Sequence, residues 1–189
     1  MKKLFALILS IIITFSLCGC SFTRKNTLPL PESSMEFSFL SGAGAWRTVI
    51  ILNSDGTFTG FYLDSEMGSM GENYPKGTAY TSTFSGEFTK IKKVNEFSYQ
   101  MELTNLKTEK PKGEIWIEDE IKYIASEPYG FESGKNFIFY LPQTPINNLP
   151  EEFLSWWPYR YDQDTNTKST LSTYGIRNTK TNYGFFSEE

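Results

Sequence analysis

The chain of 189 residues contains 39% hydrophobic and 16% aromatic residues, enough apolar material for one globular domain. Its formal charge of −4 argues against a nucleic acid as the main partner. The sequence contains no histidine, which excludes Ser-His and Cys-His nucleophile pairs and all histidine metal sites.

The first twenty residues have the organisation of an export signal. Lys2 and Lys3 precede an apolar stretch over residues 4–18. This stretch is shorter than the roughly 20 residues of a transmembrane helix, and it ends in small residues rather than in charges. The sequence therefore predicts a signal peptide over residues 1–19.

The end of this segment, Leu17-Cys18-Gly19-Cys20, resembles a bacterial lipobox. The resemblance implies cleavage before Cys20 and diacylglycerol on its thiol, with palmitate as the expected acyl group. The alternative is an ordinary secretory peptide that leaves Cys20 unmodified. Two acyl chains suffice for stable anchoring, so the expected location is the cell membrane, lipid-anchored on its extracytoplasmic face.

Cleavage before Cys20 leaves a mature chain of 170 residues with a formal charge of −6 and a single cysteine. That cysteine is used by the lipid, so no disulfide, thiolate nucleophile or cysteine metal site is expected. Residues 20–34 are polar, contain two prolines and lack periodicity, which predicts a lipidated N-terminus and flexible tether. Residues 35–189 are expected to form a single β domain without cofactor or metal.

Hydrophobic residues alternate with polar ones over most of this domain, as in antiparallel strands with one dry face. The alternation is clearest from Phe97 to Leu103. Residues 46–53 and 57–63 flank Ser54-Asp55-Gly56, a hairpin turn signal, and residues 114–117 and 121–124 flank a second, charged tip. The segment 150–157 is the only one with helical periodicity, and one or two closing strands follow it.

Many short strands with one late helix favour an all-β fold, an antiparallel up-and-down barrel of about eight strands, because closure removes exposed edges. A β-sandwich is the alternative. The element order is similar to that of lipocalin-like (calycin) barrels. The chain as a whole, including Asn53-Ser-Asp-Gly-Thr-Phe58, resembles small lipoproteins of low-GC Gram-positive bacteria, and this resemblance implies no particular activity.

Residues 64–77 form the longest loop, with three carboxylates and several glycines. Long loops are often functional, so this one is a candidate lid over a ligand or partner, although a flexible, solvated loop is the favoured explanation. Asp64, Glu66 and Glu72 are possible calcium ligands but fit no standard spacing. Residues 162–166 match three positions of a calcium loop and then depart from it, which favours a connector.

Residues 156–161 form an aromatic cluster after the helix. Its rings could stack on a sugar or another flat ligand, and Arg160 could bind a carboxylate. The alternative is that the two tryptophans fix the helix to one end of the barrel. The candidate ligand-binding residues are therefore Asp64, Glu66, Glu72, Tyr74, Trp156, Trp157, Tyr159 and Arg160, with Cys20 as the lipidation site.

Three functional hypotheses remain open. The first is a membrane-anchored binding or envelope-interaction module for an unknown small ligand or envelope protein. The second is a glycosidase or other hydrolase that works with two carboxylates, which would require a suitable pair in a cleft. The third is a structural lipoprotein whose barrel is filled by its own side chains. An enzyme is the less favoured class.

Overall fold

A computed structural model describes residues 26–161 and 167–189; the export signal, Cys20 and the segment 162–166 lie outside the described residues. The described chain forms a short α-helix, α1 (Glu151–Leu154), and ten strands. The strands are β1 (Ser34–Leu40), β2 (Trp46–Asn53), β3 (Thr57–Glu66), β4 (Thr78–Lys93), β5 (Ser98–Thr108), β6 (Ile115–Glu118), β7 (Ile121–Ala125), β8 (Asn136–Tyr140), β9 (Gly175–Asn178) and β10 (Gly184–Phe186).

Eight of these strands close into one antiparallel barrel in the order β1-β2-β3-β4-β5-β8-β9-β10. The ring is completed where β10 returns to β1, with Phe186 opposite Ser38. The predicted all-β, up-and-down barrel with one short late helix is therefore confirmed. A single sheet that closes on itself has no second sheet to pack against, which excludes the sandwich.

The β6–β7 hairpin lies outside this ring. The strand β7 pairs in parallel with the start of β4, between Thr78 and Thr81, whereas β5 pairs with β4 from Phe84 onward. The 16-residue β4 follows the curvature of the barrel because two β-bulges interrupt its pairing with β5. The first residues of β4 thus pair with β3 on one side and carry the hairpin on the other, and its later residues pair with β5.

We call the end where β1 and β3 finish the upper end, and the end where β2 and β4 finish the lower end. Phenylalanine side chains fill the interior between them, and most are less than 3% exposed. The small Gly86 makes room for them, since a Cβ there would lie 2.4 Å from the ring of Phe58. The fully buried interior side chains include Phe37, Phe39, Ile50, Leu52, Phe58, Phe84, Phe88, Met101, Phe137, Phe139 and Phe185.

The loop after β7, residues 127–135, enters the barrel and is called the plug loop here. Its Phe131 is 4% exposed and stacks on Phe58, with ring centroids 5.5 Å apart. Gly130 has a φ of +102°, and a Cβ there would meet the ring of Phe185 at 2.6 Å, so both its conformation and its packing require glycine. The phenyl ring of Phe131, which does not belong to a barrel strand, thus helps the strand side chains to fill the interior.

Two buried polar side chains hold the plug loop in place. Asn178 is fully buried and donates from Nδ2 to the carbonyl of Gly130 at 3.0 Å. Thr48, also fully buried, donates from Oγ1 to the carbonyl of Tyr129 at 2.7 Å. These bonds satisfy backbone groups that would otherwise be desolvated without a partner.

The helix α1 packs on the outside of β8, β9 and β10. Phe153 lies over two strand glycines, since a Cβ at Gly184 would be 2.8 Å from its ring. Together with Tyr140, Trp157 and Phe186, this residue forms a second apolar cluster outside the barrel. The helix ends at Leu154, before the end of the predicted segment 150–157. The amides of Trp156 and Trp157 donate to carbonyls three residues earlier, which tightens the turn, and Pro158 then follows.

The N-terminal residues of the described chain close the lower end of the barrel. Leu28 is 2% exposed and belongs to the interior cluster, and its amide donates to the carbonyl of Ser54 at 2.7 Å. Asn26 donates from Nδ2 to the carbonyl of Ile91 at 2.9 Å. The segment expected to be a flexible tether up to residue 34 is therefore docked from Asn26 onward, since Leu28 supplies an apolar side chain that fills the barrel end.

Candidate functional site

The base of loop 64–77 lies at the upper end of the barrel. Asp64 is opposite Trp46 in the β2–β3 pairing and accepts a hydrogen bond from the hydroxyl of Tyr62 at 3.4 Å. Glu66 and Glu72 are exposed. Within the two described ranges no group of three His, Cys, Asp or Glu side chains comes together.

The rest of this loop holds the tip of the β6–β7 hairpin. Tyr74 lies under the ammonium of Lys122, 4.5 Å from the ring centroid. Lys76 forms an ion pair with Glu120 at 2.9 Å and donates to the carbonyl of Asp119 at 3.1 Å. Asp119 and Glu120 are the two turn residues of the hairpin, and both have a positive φ. The contacts from Lys76 hold the turn in this conformation. The loop thus positions the hairpin. The predicted binding residue Tyr74 takes part through its contact with Lys122 of β7.

The aromatic cluster after α1 is divided between two sides of the molecule. Trp156 closes the upper end of the barrel, with its ring centroid 4.9 Å from Phe39 and 5.9 Å from Trp46. Trp157 is 3% exposed in the outer cluster. Tyr159 lines a small hollow of about 170 Å³ beside β1 and β10.

Arg160, which the sequence suggested as a carboxylate clamp, already has an internal partner. Its guanidinium lies 2.6 Å from a carboxylate oxygen of Glu151 and 5.6 Å from the ring of Tyr161. Trp156 and Asp64 lie at the same end of the barrel, since both approach Trp46. The hollow beside Tyr159, however, is not lined by any residue of loop 64–77. The two predicted segments therefore share an end of the barrel without sharing that hollow.

A polar group of side chains surrounds the plug loop at the upper end. Burial raises the pKa of Tyr62, and the Asp64 carboxylate adds to this effect. Burial also raises the pKa of Tyr129, whose hydroxyl donates to that of Tyr183 at 3.1 Å. Both phenols therefore remain protonated donors at neutral pH. Glu132 is half-buried, its pKa is raised by desolvation, and it accepts a hydrogen bond from the amide of Gly130 at 2.7 Å.

A better-formed binding surface lies outside the barrel, between β4, the end of β5 and the β6–β7 hairpin. We call it the hairpin groove. Its cavity volume is about 280 Å³. The wall is aromatic, the floor carries two threonines and the rim carries two glutamates. These residues are Trp116, Tyr123, Thr81, Thr83, Glu109 and Glu118.

The aromatic wall is fixed by the hairpin itself. Trp116 and Tyr123 are directly opposite in the β6–β7 pairing, and their rings stack with centroids 5.2 Å apart and planes 14° from parallel. The ammonium of Lys110 lies 4.6 Å from the centroid of the Trp116 ring and is paired with Glu114. The wall is therefore preorganised, because its rings are held against each other across the hairpin and by Lys110 from the connection before β6.

The carboxylates of the groove do not form the enclosed pair that the hydrolase hypothesis requires. Glu109 and Glu118 are both exposed. A glycosidase protects its general acid in a water-poor environment, which an exposed rim does not provide. The groove is thus better suited to holding a ligand than to cleaving one.

The hairpin groove is not among the sites that the sequence predicts, although its main signal is present. The charged tip at residues 118–120 predicts the hairpin. A two-residue turn at Asp119 and Glu120 places Trp116 opposite Tyr123 in the register. The attachment of β7 to β4, which supplies the floor, leaves no comparable signal because it joins residues 44 positions apart through only four pairs.

No family model matches this chain, and no curated protein or solved structure is significantly similar to it. Of the helices in the described residues, none is long and apolar enough to cross a membrane.

Proposed function

We propose that this protein is a lipid-anchored lipoprotein of the extracytoplasmic face of the cell membrane that binds a glycan in the hairpin groove. The lipobox-like Leu17-Cys18-Gly19-Cys20 after an apolar export signal supports the anchor. The barrel interior supports an external site, because Phe131 and the strand side chains fill the space that a barrel carrier would use for its ligand.

The observation that carries the binding proposal is the stacked pair of Trp116 and Tyr123 above two threonines. A pyranose ring has C–H faces that pack on aromatic rings, here by displacing the exposed Lys110 side chain from the face of Trp116 that Tyr123 does not cover. The hydroxyls around its edge exchange hydrogen bonds with polar side chains. The hydroxyl of Thr83 and the carboxylates of Glu109 and Glu118 offer such partners. A neutral sugar also suits the formal charge of −6, which repels polyanions.

The anchor is tested by fractionating cells that express Cys20→Ser. We expect this variant in the soluble extracytoplasmic fraction and the wild type in the membrane. Cys18→Ser is the matched control, since it changes the neighbouring cysteine and keeps a small residue within the motif. Retention of Cys20→Ser in the membrane would overturn the lipid anchor.

Glycan binding is tested by titrating the detergent-purified full chain with chitotetraose and cellotetraose. Trp116→Ala is expected to weaken the better of the two interactions at least about tenfold, equivalent to about 1.4 kcal/mol. Tyr161→Ala removes an aromatic ring that is 56% exposed outside the groove and serves as control. If neither oligosaccharide binds, or if both variants behave alike, the glycan site is refuted and the structural lipoprotein becomes the better explanation.

A further inference from the structure

The point at which the chain enters the barrel determines which end faces its anchor. Asn26 and Leu28 are bonded to Ile91 and Ser54, all at the lower end. Leu28 is buried within the interior cluster, so this entry point is fixed to the fold. The opposite end carries loop 64–77 and the tip of the β6–β7 hairpin.

The distance between anchor and barrel is limited by the length of the connecting chain. This step rests on the proposed lipidation of Cys20. Six residue steps separate Cys20 from Asn26, and fully extended they reach about 20 Å at most. A compact domain of this size is about 40 Å across, twice that reach. The lower end is therefore held close to the lipid headgroups, and the barrel cannot invert so that its upper end alone faces them.

The chemistry of the lower end suits an anionic surface. Lys92 and Lys93 lie at the tip of the β4–β5 hairpin and are exposed, and neither forms an ion pair with any residue of the described ranges. Val94 beside them is 56% exposed. Arg24 and Lys25 precede Asn26 in the sequence.

The carboxylates at the two ends are unequally balanced. In the described part of the lower end, Lys92 and Lys93 face Glu32, Asp55, Glu96 and Glu188, and Asp55 is already bonded to Thr57. At the upper end two lysines face a larger group of acids. These acids are Asp64, Glu66, Glu72, Glu118, Asp119 and Glu120. In a chain of net charge −6, the unpaired lysines at the β4–β5 tip are thus the part of the lower end that an anionic leaflet attracts.

We infer that the lower end, through Lys92, Lys93 and Val94 at the β4–β5 tip, docks on anionic lipid headgroups and holds the barrel upright. The lysines approach the headgroups while Val94 enters the interface between them. Each lysine near an anionic leaflet shifts the ratio of docked to undocked protein by about fivefold. Loop 64–77 then points away from the membrane, and the hairpin groove is carried toward that free side.

The test uses the lipidated full chain in vesicles of about three parts phosphatidylcholine to one part phosphatidylglycerol. The mature chain has no free thiol when Cys20 carries lipid, so one introduced cysteine can be labelled selectively. Val94→Cys places a fluorophore at the lower end and Met67→Cys, at a side chain 72% exposed, places one at the upper end. A nitroxide on the lipid headgroup quenches nearby fluorophores.

We expect quenching of the Val94→Cys label to exceed that of the Met67→Cys label at least threefold. For the charge dependence, the label is moved to Asn53→Cys, which is exposed at the lower end. Adding Lys92→Glu and Lys93→Glu should reduce its quenching to the level found with phosphatidylcholine alone. The pair Lys107→Glu and Lys112→Glu changes the net charge equally at exposed positions at the far end of β5 from the β4–β5 tip and in the connection that follows, and is the control.

Flotation of the vesicles separates the two proposals. If the protein floats with the vesicles but both ends are quenched equally, the anchor stands and the docking surface is refuted. If quenching at the lower end is unchanged in pure phosphatidylcholine, the anionic headgroup is refuted as its partner. If the protein does not float, the lipid anchor has failed, and the docking inference fails with it.

Discussion

Glu132 is a half-buried carboxyl group whose pKa lies above its ordinary value because burial disfavours the charged form. An acid with a raised pKa in the folded state binds its proton more tightly there than in the unfolded chain. Its contribution to stability is therefore complete below the unfolded pKa, near 4.5, and is lost as the pH rises through the higher folded pKa. The charged residue thus opposes folding at neutral pH.

We expect Glu132→Gln to increase the free energy of unfolding at pH 7 and to leave it nearly unchanged at a pH well below the unfolded value. The amide oxygen of glutamine still accepts the hydrogen bond from Gly130. Urea unfolding at both pH values measures the difference, and Glu36→Gln on the exposed face of β1 is the control. A variant that is less stable than wild type at pH 7 would show that the carboxylate is needed for its hydrogen bonds.

The plug loop is the element on which the filled interior depends. Phe131 contributes a ring that is in contact with Phe58, Phe84, Phe137 and Phe185. We expect Phe131→Ala to cost about 3–5 kcal/mol of unfolding free energy, because neighbouring strands cannot collapse into the space that it leaves. Chemical denaturation gives this value directly.

Phe61→Ala provides the comparison for this variant. Phe61 is on the outer face of β3, is 36% exposed and lies beside the guanidinium of Arg47. Its loss should be much less costly, since water can occupy the vacated space. Similar costs for the two variants would indicate that residues 127–135 do not stay inside the barrel in solution.

Local signals in the sequence were sufficient for the strands and their hairpins. The Ser54-Asp55-Gly56 turn appears as expected, with a φ of +94° at Gly56, and it sets the β2–β3 register that puts Trp46 opposite Asp64. The alternation of residues from Phe97 to Leu103 identified β5. These features succeed because a hairpin is determined by neighbours in the sequence.

The plug loop and the docking of Leu28 could not be predicted in the same way. Both insert an apolar side chain from an irregular segment into a space formed by distant strands, so neither leaves a periodic pattern. Phe131 stands in a stretch with Pro128, Gly130 and Gly134, which reads as an ordinary connection. The candidate site was incomplete for the same reason, since its floor comes from the non-local pairing of β7 with β4.

The whole domain is held by its aromatic interior, and we predict that it needs no metal, disulfide or cofactor. A metal that binds only the folded state would raise the unfolding temperature by mass action. We therefore expect the midpoint of thermal unfolding to be the same with and without a chelator, and with and without reductant. Calorimetry of the full chain tests this. A fall of several degrees with the chelator would point to calcium at residues 64–72 or 162–166.

The seam between β10 and β1 has a consequence for the order of events during folding. It joins Ser38 to Phe186, about 150 residues apart, so the ring cannot close before almost all of the chain has been delivered. Until then β1 and β9 each expose an unpaired edge that can recruit a strand from another molecule. A product truncated before Gly184 keeps those edges permanently and is prone to aggregate. The strand β10 thus decides whether the other seven barrel strands form a closed ring or a template for assembly.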